Sequence, residues 1–245
     1  MKNPKVSIII PVLNEENYLP EVLQHLKKIN PPPFEIIAVD GGSEDHTLSI
    51  LSEHGITTFK AEQPSRAKQM NLGAKNANGD LLVFLHADTL VPSNLISLVS
   101  GYLLNKKLAL GGFISIMKGG KNRPLLSFLN YLKTWLWTLV INPKRLLFNG
   151  LKIIFGDQVM FCRKNDFLQI QGFNERYPVL EDAELCLRMN RLGKIKQFPE
   201  KVFSSDRRVE KQGFLKALWV YVFIAVLWTI GFPAEKLAKY YKNIR

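Results

Sequence analysis

Cysteine is almost missing from this chain. Cys162 and Cys186 are the only two in 245 residues, and neither stands at metal-ligand spacing. That excludes a disulfide-stapled fold and a thiolate zinc site, and it predicts two buried thiols in a reducing compartment. Acidic residues are also scarce, 21 Asp and Glu against 33 Lys and Arg, for a net charge of +12. Such a balance favours nucleic acid, anionic lipid or phosphorylated ligands without choosing among them, and a basic solubilising surface has the same composition. Internal repeats and low-complexity tracts are lacking. The first apolar run is followed by Val12-Leu13-Asn14-Glu15-Glu16. This is neither the Gly-x-Gly-x-x-Gly of a dinucleotide fold nor the Gly-rich basic loop of a nucleotidyltransferase. No nucleic-acid recognition motif is found, and the aromatics sit in apolar runs rather than among Lys and Arg, which argues against a nucleic-acid partner. The run Val6 to Ile10 is too short for a signal peptide and has no small-residue cleavage site, so a cytoplasmic protein is expected.

What is present is a series of short apolar runs alternating with helical patterns. With 47% hydrophobic residues the chain can fill the core of one large α/β domain. Val6 to Ile10, Phe34 to Val39, Gly55 to Phe59 and Leu81 to Leu85 read as strands. Nearly continuous apolar runs suit strands buried on both faces of a parallel sheet. Between them, Leu19, Val22, Leu23 and Leu26 recur at helical spacing, Ser43 is placed to N-cap a second helix, and Ser65 to Asn76 reads as a third. A further helix is expected from Pro92 to about Asn105, a strand over Ala109 to Met117, another over Val159 to Cys162, and a helix from Glu181 through Leu192 capped by Gly193. The order βαβαβαβ predicts an α/β fold with a mostly parallel sheet flanked by helices. Residues 1–210 are expected to form that domain and 211–245 a helical extension.

Two strands end in an acid. Asp40 precedes Gly41-Gly42, and His86-Ala87-Asp88 follows Leu85. Ligands of open α/β sheets bind just past the carboxyl ends of the strands. Asp40 is suited to accept hydrogen bonds from a base or from ribose, with Gly42 letting the backbone approach a ligand; equally, it reads as a turn Asp satisfied by its own backbone. His86 and Asp88 are candidate ligands for a divalent cation, Mg²⁺ or, given the imidazole, Mn²⁺; alternatively His86 orients Asp88. Glu181-Asp182 opens a helix, where negative charge is favourable; Asp182 is the candidate general base. Arg66, Arg207 and Arg208 are candidates for diphosphate, each otherwise a solvated surface arginine.

These pieces together resemble the family 2 glycosyltransferases with the GT-A fold. The likeness runs through Val6-Ser7-Ile8-Ile9-Ile10-Pro11-Val12-Leu13-Asn14-Glu15-Glu16, Val39-Asp40-Gly41-Gly42-Ser43, Leu85-His86-Ala87-Asp88 and Glu181-Asp182. A narrower likeness rests on Arg66-Ala67-Lys68-Gln69-Met70-Asn71, Phe155-Gly156-Asp157-Gln158, Arg207-Arg208 and Gly231-Phe232-Pro233. These are similar to a bacterial subfamily associated with arsenosugar biosynthesis or with selenium-related genes. The resemblance implies an inverting hexosyl-type transferase using a nucleotide-diphosphate sugar and an acceptor that is a small molecule or lipid-linked. It implies that Asp40, Pro11, Asn14 and Glu15 line the nucleoside pocket and that Arg66 lies near the base or diphosphate. Asp157, Gln158 and Glu181 would join the substrate site, Asp88 would match the metal-holding acid, and Asp182 the catalytic base. Two positions depart from the family pattern: His86 stands where the first acid of Asp-x-Asp is usual, and Gly41 where a second acid follows Asp40. A nucleotide-sugar-binding or membrane-scaffold protein without catalysis is the alternative.

The stretches Leu125 to Ile141 and Ala217 to Ala234 carry Trp135, Trp137, Trp219, Tyr221 and Trp228. They are expected to dock on an anionic membrane surface, to pack on the domain or on a second subunit of a homodimer, or, for the 18 uncharged residues 217–234, to span a bilayer once.

Overall fold

The computed structural model describes residues 4–118, 123–141, 144, 147, 149–205, 219, 220, 223, 224, 226–228, 230–234, 236 and 237. Its first half alternates β1 (Val6–Val12), α1 (Leu19–Leu26), β2 (Glu35–Asp40), α2 (Thr47–Glu53), β3 (Thr57–Lys60), α3 (Arg66–Asn76) and β4 (Leu81–Phe84). The four strands pair in the order β3-β2-β1-β4, all parallel. The rest comprises β5 (Thr89–Leu90), α4 (Leu95–Leu103), β6 (Leu108–Lys118), α5 (Arg123–Ile141), a 3₁₀ turn (Gly156–Gln158), β7 (Met160–Arg163), α6 (Lys164–Gln169), α7 (Glu181–Met189) and β8 (Lys194–Ser205). The full order is β3-β2-β1-β4-β7-β6-β8-β5. Antiparallel β7 joins the parallel half to β6, and β5 runs antiparallel to β8 at the far edge.

Strand alternation explains the two core layers. Ile8 and Ile10 face α1 through Leu19, Val22, Leu23 and Leu26, whereas Ile9 and Val39 face Ala67, Met70 and Ala74 of α3. β1, β4 and the second half of β2 are therefore buried on both sides, whereas β3 at the edge of the sheet is mostly exposed. The fold class is the α/β arrangement read from the sequence, with a sheet that is mixed in its second half.

Three local expectations are corrected. Ser43 does not cap α2, which begins at Thr47; its hydroxyl instead donates to Asp40 Oδ1 at 2.6 Å. Gly193 does not close α7. Asn190 takes that place, its side chain donating to the carbonyls of Asn149 and Gly193. The short extended pieces after Gly193 are a single 12-residue strand, β8.

α5 is amphipathic in the reverse sense. Asn130, Thr134 and Thr138, at spacings of four, are buried, while Leu125, Phe128, Trp135, Leu136 and Leu139 are exposed by 38–57%. Trp137 packs edge-on to Phe155 at 5.6 Å and near Trp228 at 6.3 Å. Ile224 and Leu237 bury with Val179. The described part of the C-terminal stretch therefore packs on the domain, and Trp219 stays 67% exposed. Among the described residues no helix is long and apolar enough to cross a membrane. Tyr221 lies outside the described residues.

Candidate active site

The carboxyl ends of β1, β2 and β4 lie on one edge of the sheet, and the expected site residues fall there in two groups. The first crosslinks the loops after β1 and β2. The Asn14 amide donates to Ser43 Oγ at 3.0 Å, and Asn14 Oδ1 accepts from the Glu44 amide at 2.9 Å. Asn14 holds φ 54°, a left-handed conformation that Asn tolerates better than most residues. The Glu15 amide donates to Thr47 Oγ1 at 2.8 Å and the Glu16 amide to Asp45 Oδ2 at 3.1 Å. Hydrogen bonds from Thr47 and Glu16 outweigh the effect of partial burial and hold the Asp45 carboxyl below its usual range. Pro11 is half-buried in β1, beside Val39 of β2.

Asp40 is buried completely, and its carboxylate is engaged by its own turn: it accepts from the amides of Gly42 at 2.9 Å and Ser43 at 3.0 Å and from the Ser43 hydroxyl. Of the two readings open for Asp40, the turn is the one its contacts match. It fixes Gly42, which is exposed with φ 99°. Beneath lies a residue the sequence reading gave no role. Gln69 of α3 is buried, and its side-chain nitrogen donates to the carbonyls of Val12 at 2.8 Å and Val39 at 2.7 Å. A Cβ at Gly41 would lie 3.1 Å from that amide, so glycine there lets the turn rest on Gln69. The readable signal was a polar residue within the apolar face Ala67, Met70 and Ala74. Arg66 is half-buried at the first turn of α3, on the same edge.

The second group follows β4. Since β1 separates β2 from β4, the ends carrying Asp40 and His86 lie ~10 Å apart by strand spacing. His86 packs its ring against Gly156, where a Cβ would stand 2.5 Å from Nε2. The Gly156 amide donates to Asp182 Oδ2 at 2.9 Å, and the Ala183 amide donates to Oδ1 at 2.7 Å. Asp182 is half-buried in the first turn of α7; Glu181 beside it is buried. Segments 86–88, 156–158 and 181–182, far apart in the chain, thus meet. Asp88, half-buried, accepts from Thr89 Oγ1 at 3.3 Å. Thr89 in turn bonds Ser204 at 3.0 Å, and Ser204 donates to the Asp157 carbonyl at 3.1 Å.

α5 supports this group with its polar stripe. Asn130 donates to Asp157 Oδ2 at 2.6 Å, Thr134 accepts from the Gln158 side chain at 2.8 Å, and Thr138 accepts from the Ile153 amide at 2.9 Å. Gln158, expected among the ligand-binding residues, is instead fully buried. Its amide is used internally by Thr134 and by the Phe155 amide, so it shapes the 3₁₀ turn from below. Asn130, Thr134 and Thr138 were legible only as polar residues four apart in an apolar run. Arg207 and Arg208 lie outside the described residues.

No group of three or more His, Cys, Asp or Glu side chains able to hold a metal occurs among the described residues. Mg²⁺ or Mn²⁺ can be held by a single carboxylate together with substrate phosphates, with no all-protein cage. Asp88 fits such a role.

A family model described as glycosyl transferase family 2 matches residues 7–168, which takes in the first loop group and segments 86–88 and 156–158 of the second but ends before Glu181 and Asp182. The chain belongs to glycosyl transferase family 2. A PGL/p-HBAD biosynthesis glycosyltransferase of Mycobacterium bovis (strain BCG / Pasteur 1173P2) is 31% identical over 199 residues, 77% of this chain and 70% of that relative. An uncharacterized glycosyltransferase of Rickettsia felis is 30% identical over 227 residues, 87% of this chain but 36% of the relative, so the chain spans about a third of that protein. Among solved structures, the mannosyltransferase PcManGT of Pyrobaculum calidifontis, in complex with GDP-Man and Mn²⁺, superposes with TM-score 0.71 at 17% identity over 98% of this chain and 70% of that one. Glucosyl-3-phosphoglycerate synthase of Mycobacterium tuberculosis, in complex with Mn²⁺, UDP and glucosyl-3-phosphoglycerate, gives 0.65 at 18% over 94% and 81%. At that identity the two structures establish the shared fold of this family 2 chain.

Proposed function

We propose that this chain moves a glycosyl group, with inversion, from a nucleotide-diphosphate sugar to an acceptor hydroxyl. The observation that carries the reading is the meeting of Asp182, Gly156 and His86 at the carboxyl edge of a family 2 sheet. Asp182 takes the acceptor proton as the hydroxyl oxygen bonds to the anomeric carbon and the bond from that carbon to the diphosphate breaks. Two backbone amides fix its carboxylate, so the base arrives already oriented. Asp88, with His86 beside it, would hold the Mn²⁺ or Mg²⁺ that neutralises charge on the departing diphosphate. The loops tied by Asn14, Asp40 and Ser43 form the nucleoside side, with Pro11, Glu15, Gly42 and Arg66 on the same edge. In this reading Asp157 and Glu181 border the reacting centre, and Arg207 and Arg208 would bind the diphosphate, since guanidinium forks match phosphate oxygens. The likeness of Arg66-Ala67-Lys68-Gln69-Met70-Asn71, Phe155-Gly156-Asp157-Gln158 and Gly231-Phe232-Pro233 to the bacterial subfamily associated with arsenosugar or selenium chemistry supports a role of that kind.

The reversed polarity of α5 supports contact with an anionic bilayer. Its exposed aromatic and aliphatic stripe is flanked by Lys118 and Lys144 in a chain of net charge +12.

Thermal unfolding of the full chain against a panel of nucleoside diphosphates and nucleotide sugars, with and without Mn²⁺, tests the donor assignment. One nucleoside class should stabilise the protein by about 2.7 kcal/mol at a hundredfold excess over its dissociation constant, and more with Mn²⁺ than without. A flat panel refutes the reading.

A further inference from the structure

A buried polar side chain on an apolar helix is costly unless its groups find partners. α5 carries three at spacings of four: Asn130 at 7% exposure, and Thr134 and Thr138 at 0%. Leucine at these positions would fill the same interior without that cost. All three side chains reach one short segment, residues 153–158. Thr138 accepts from the Ile153 amide, Thr134 from the Gln158 side chain, and Asn130 donates to the Asp157 carboxylate.

That segment is tied to the helix of the candidate base at two points one turn apart. The Ile154 amide donates to Cys186 Sγ at 3.3 Å and the Gly156 amide to Asp182 Oδ2 at 2.9 Å, both on α7. A shift of the 156–158 turn therefore changes what Asp182 bonds. The turn ends in strain: Val159, which follows it, holds φ 54°, a left-handed conformation that a β-branched residue rarely adopts. Leu180, immediately before Glu181, is left-handed as well, with φ 64°. Strained backbone persists where its surroundings over-determine it. Around Asp157 those surroundings come from two other elements. Ser204 of β8 donates to its carbonyl at 3.1 Å, and Asn130 of α5 donates to its carboxylate at 2.6 Å. Within the α5 stripe, Asn130 is the residue whose partner adjoins Gly156 in the chain.

We propose that Asn130 is a positioning residue for the transfer. By holding Asp157 it keeps the Gly156 amide against Asp182, so that the carboxylate stays aimed at the acceptor hydroxyl. It touches no reacting atom and acts through the turn. The turnover role rests on the transfer reading; the restraint on Gly156 does not.

The test uses the full chain, the donor that the thermal panel selects, and release of nucleoside diphosphate as the signal. Asn130→Ala should lower kcat about 10- to 100-fold, the scale of a misplaced catalytic group, with the donor KM within about twofold of the parent. Asn130→Asp is nearly isosteric and carries the test if the alanine variant does not fold. Its new carboxyl meets that of Asp157, so the two share a proton at low pH and repel once both ionise. Its turnover relative to the parent should therefore fall as pH rises through about 5 to 8. His86, Asp88, Asp157, Glu181 and Asp182, the titratable groups of the three meeting segments, are common to both proteins, so the ratio isolates position 130.

A second arm needs no donor. With ¹⁵N-glycine labelling, either variant at about pH 7 should speed hydrogen exchange of the Gly156 amide at least about tenfold and leave that of Gly73, within α3, unchanged. Parental kcat in Asn130→Ala, a pH-independent ratio in Asn130→Asp, or a Gly156 amide as protected as in the parent overturns the proposal. So does equal acceleration at Gly73, because the substitution then only loosens the whole domain. A parent that releases no nucleoside diphosphate from any donor overturns the transfer reading and the turnover role with it, and faster exchange at Gly156 alone then leaves the restraint standing.

Discussion

The amide of Gly156 donates to Asp182 Oδ2 at 2.9 Å. The same residue turns its bare Cα toward His86, so one glycine sets the separation between the candidate base and the loop that carries Asp88. A methyl group there would stand 2.5 Å from His86 Nε2. Gly156→Ala should destabilise the fold by about 1–3 kcal/mol, the usual cost of overpacking, and lower turnover as well. His86→Ala in the same chain should restore most of the stability, because it removes the side chain that collides. A double-mutant cycle by urea unfolding measures this. Additive effects would show that the ring moves aside freely and that the contact constrains nothing.

Asp182→Asn separates the base from the scaffold. Asparagine keeps one oxygen for the two amides that Asp182 now serves, Gly156 and Ala183, so a stability loss of about 1 kcal/mol is expected. Turnover should fall far more, about 10²- to 10⁴-fold, with donor affinity retained. Asp88→Ala should invert that pattern, weakening donor binding chiefly when Mn²⁺ is present. Steady-state kinetics beside nucleotide titrations decide both. A near-parental rate for Asp182→Asn removes the residue from the chemistry.

The parallel half of the sheet was legible because β1, β2 and β4 are apolar runs separated by helical patterns, although the edge strand β3 (Thr57–Lys60) is short and mostly exposed. The four residues of α1 read as core, Leu19, Val22, Leu23 and Leu26, are all buried. The second half was less so. Residues Thr89–Leu90 are too few to show a period, and β8 alternates exposed charge with buried apolar residues in a pattern broken by a shift in register. The site was legible as residue types, and the internal partners of those residues were not. Asp40 bonds the amides of Gly42 and Ser43 in its own turn, and Gln158 bonds the Phe155 amide and Thr134, which the fold brings near from 24 positions away. Gln69 acts on carbonyls 57 and 30 positions away, a relationship no local pattern encodes.

Gln69→Leu should therefore cost more than its size suggests. Leucine fits the apolar face of α3 but removes both hydrogen bonds that join the ends of β1 and β2. Losing donors to buried carbonyls is worth about 1–3 kcal/mol, or roughly 2–12 °C in Tm for a chain of this length. Donor affinity should fall too, because the turn at Gly41 rests on the lost amide. Calorimetry with nucleotide titration measures the two effects. Parental values for both would leave Gln69 an ordinary core residue.

The last prediction concerns acid. Glu35, at the start of β2, accepts from Ser7 Oγ at 2.6 Å and from the Asn78 amide at 2.5 Å; Ser7 Oγ accepts from the Gly79 amide at 2.9 Å. Partial burial would raise this carboxyl, but the bonds from Ser7, Asn78 and Gly79 outweigh it and hold the group below its ordinary 4.5. A depressed carboxyl stabilises the fold above its unfolded value, and that contribution is lost as pH falls through the lower folded value. Glu35→Gln should thus be less stable than the parent at pH 7, by a few tenths to about 1 kcal/mol because the site is open to solvent screening. The gap should narrow as pH falls below the ordinary value of 4.5 and close below the lower folded one. Asp45 is depressed in the same direction but is common to both proteins, so the difference between them isolates Glu35. Urea unfolding at pH 7, 5, 4 and 3 reads it. A gap that stays constant across that series would mean Glu35 contributes through packing and not through its charge.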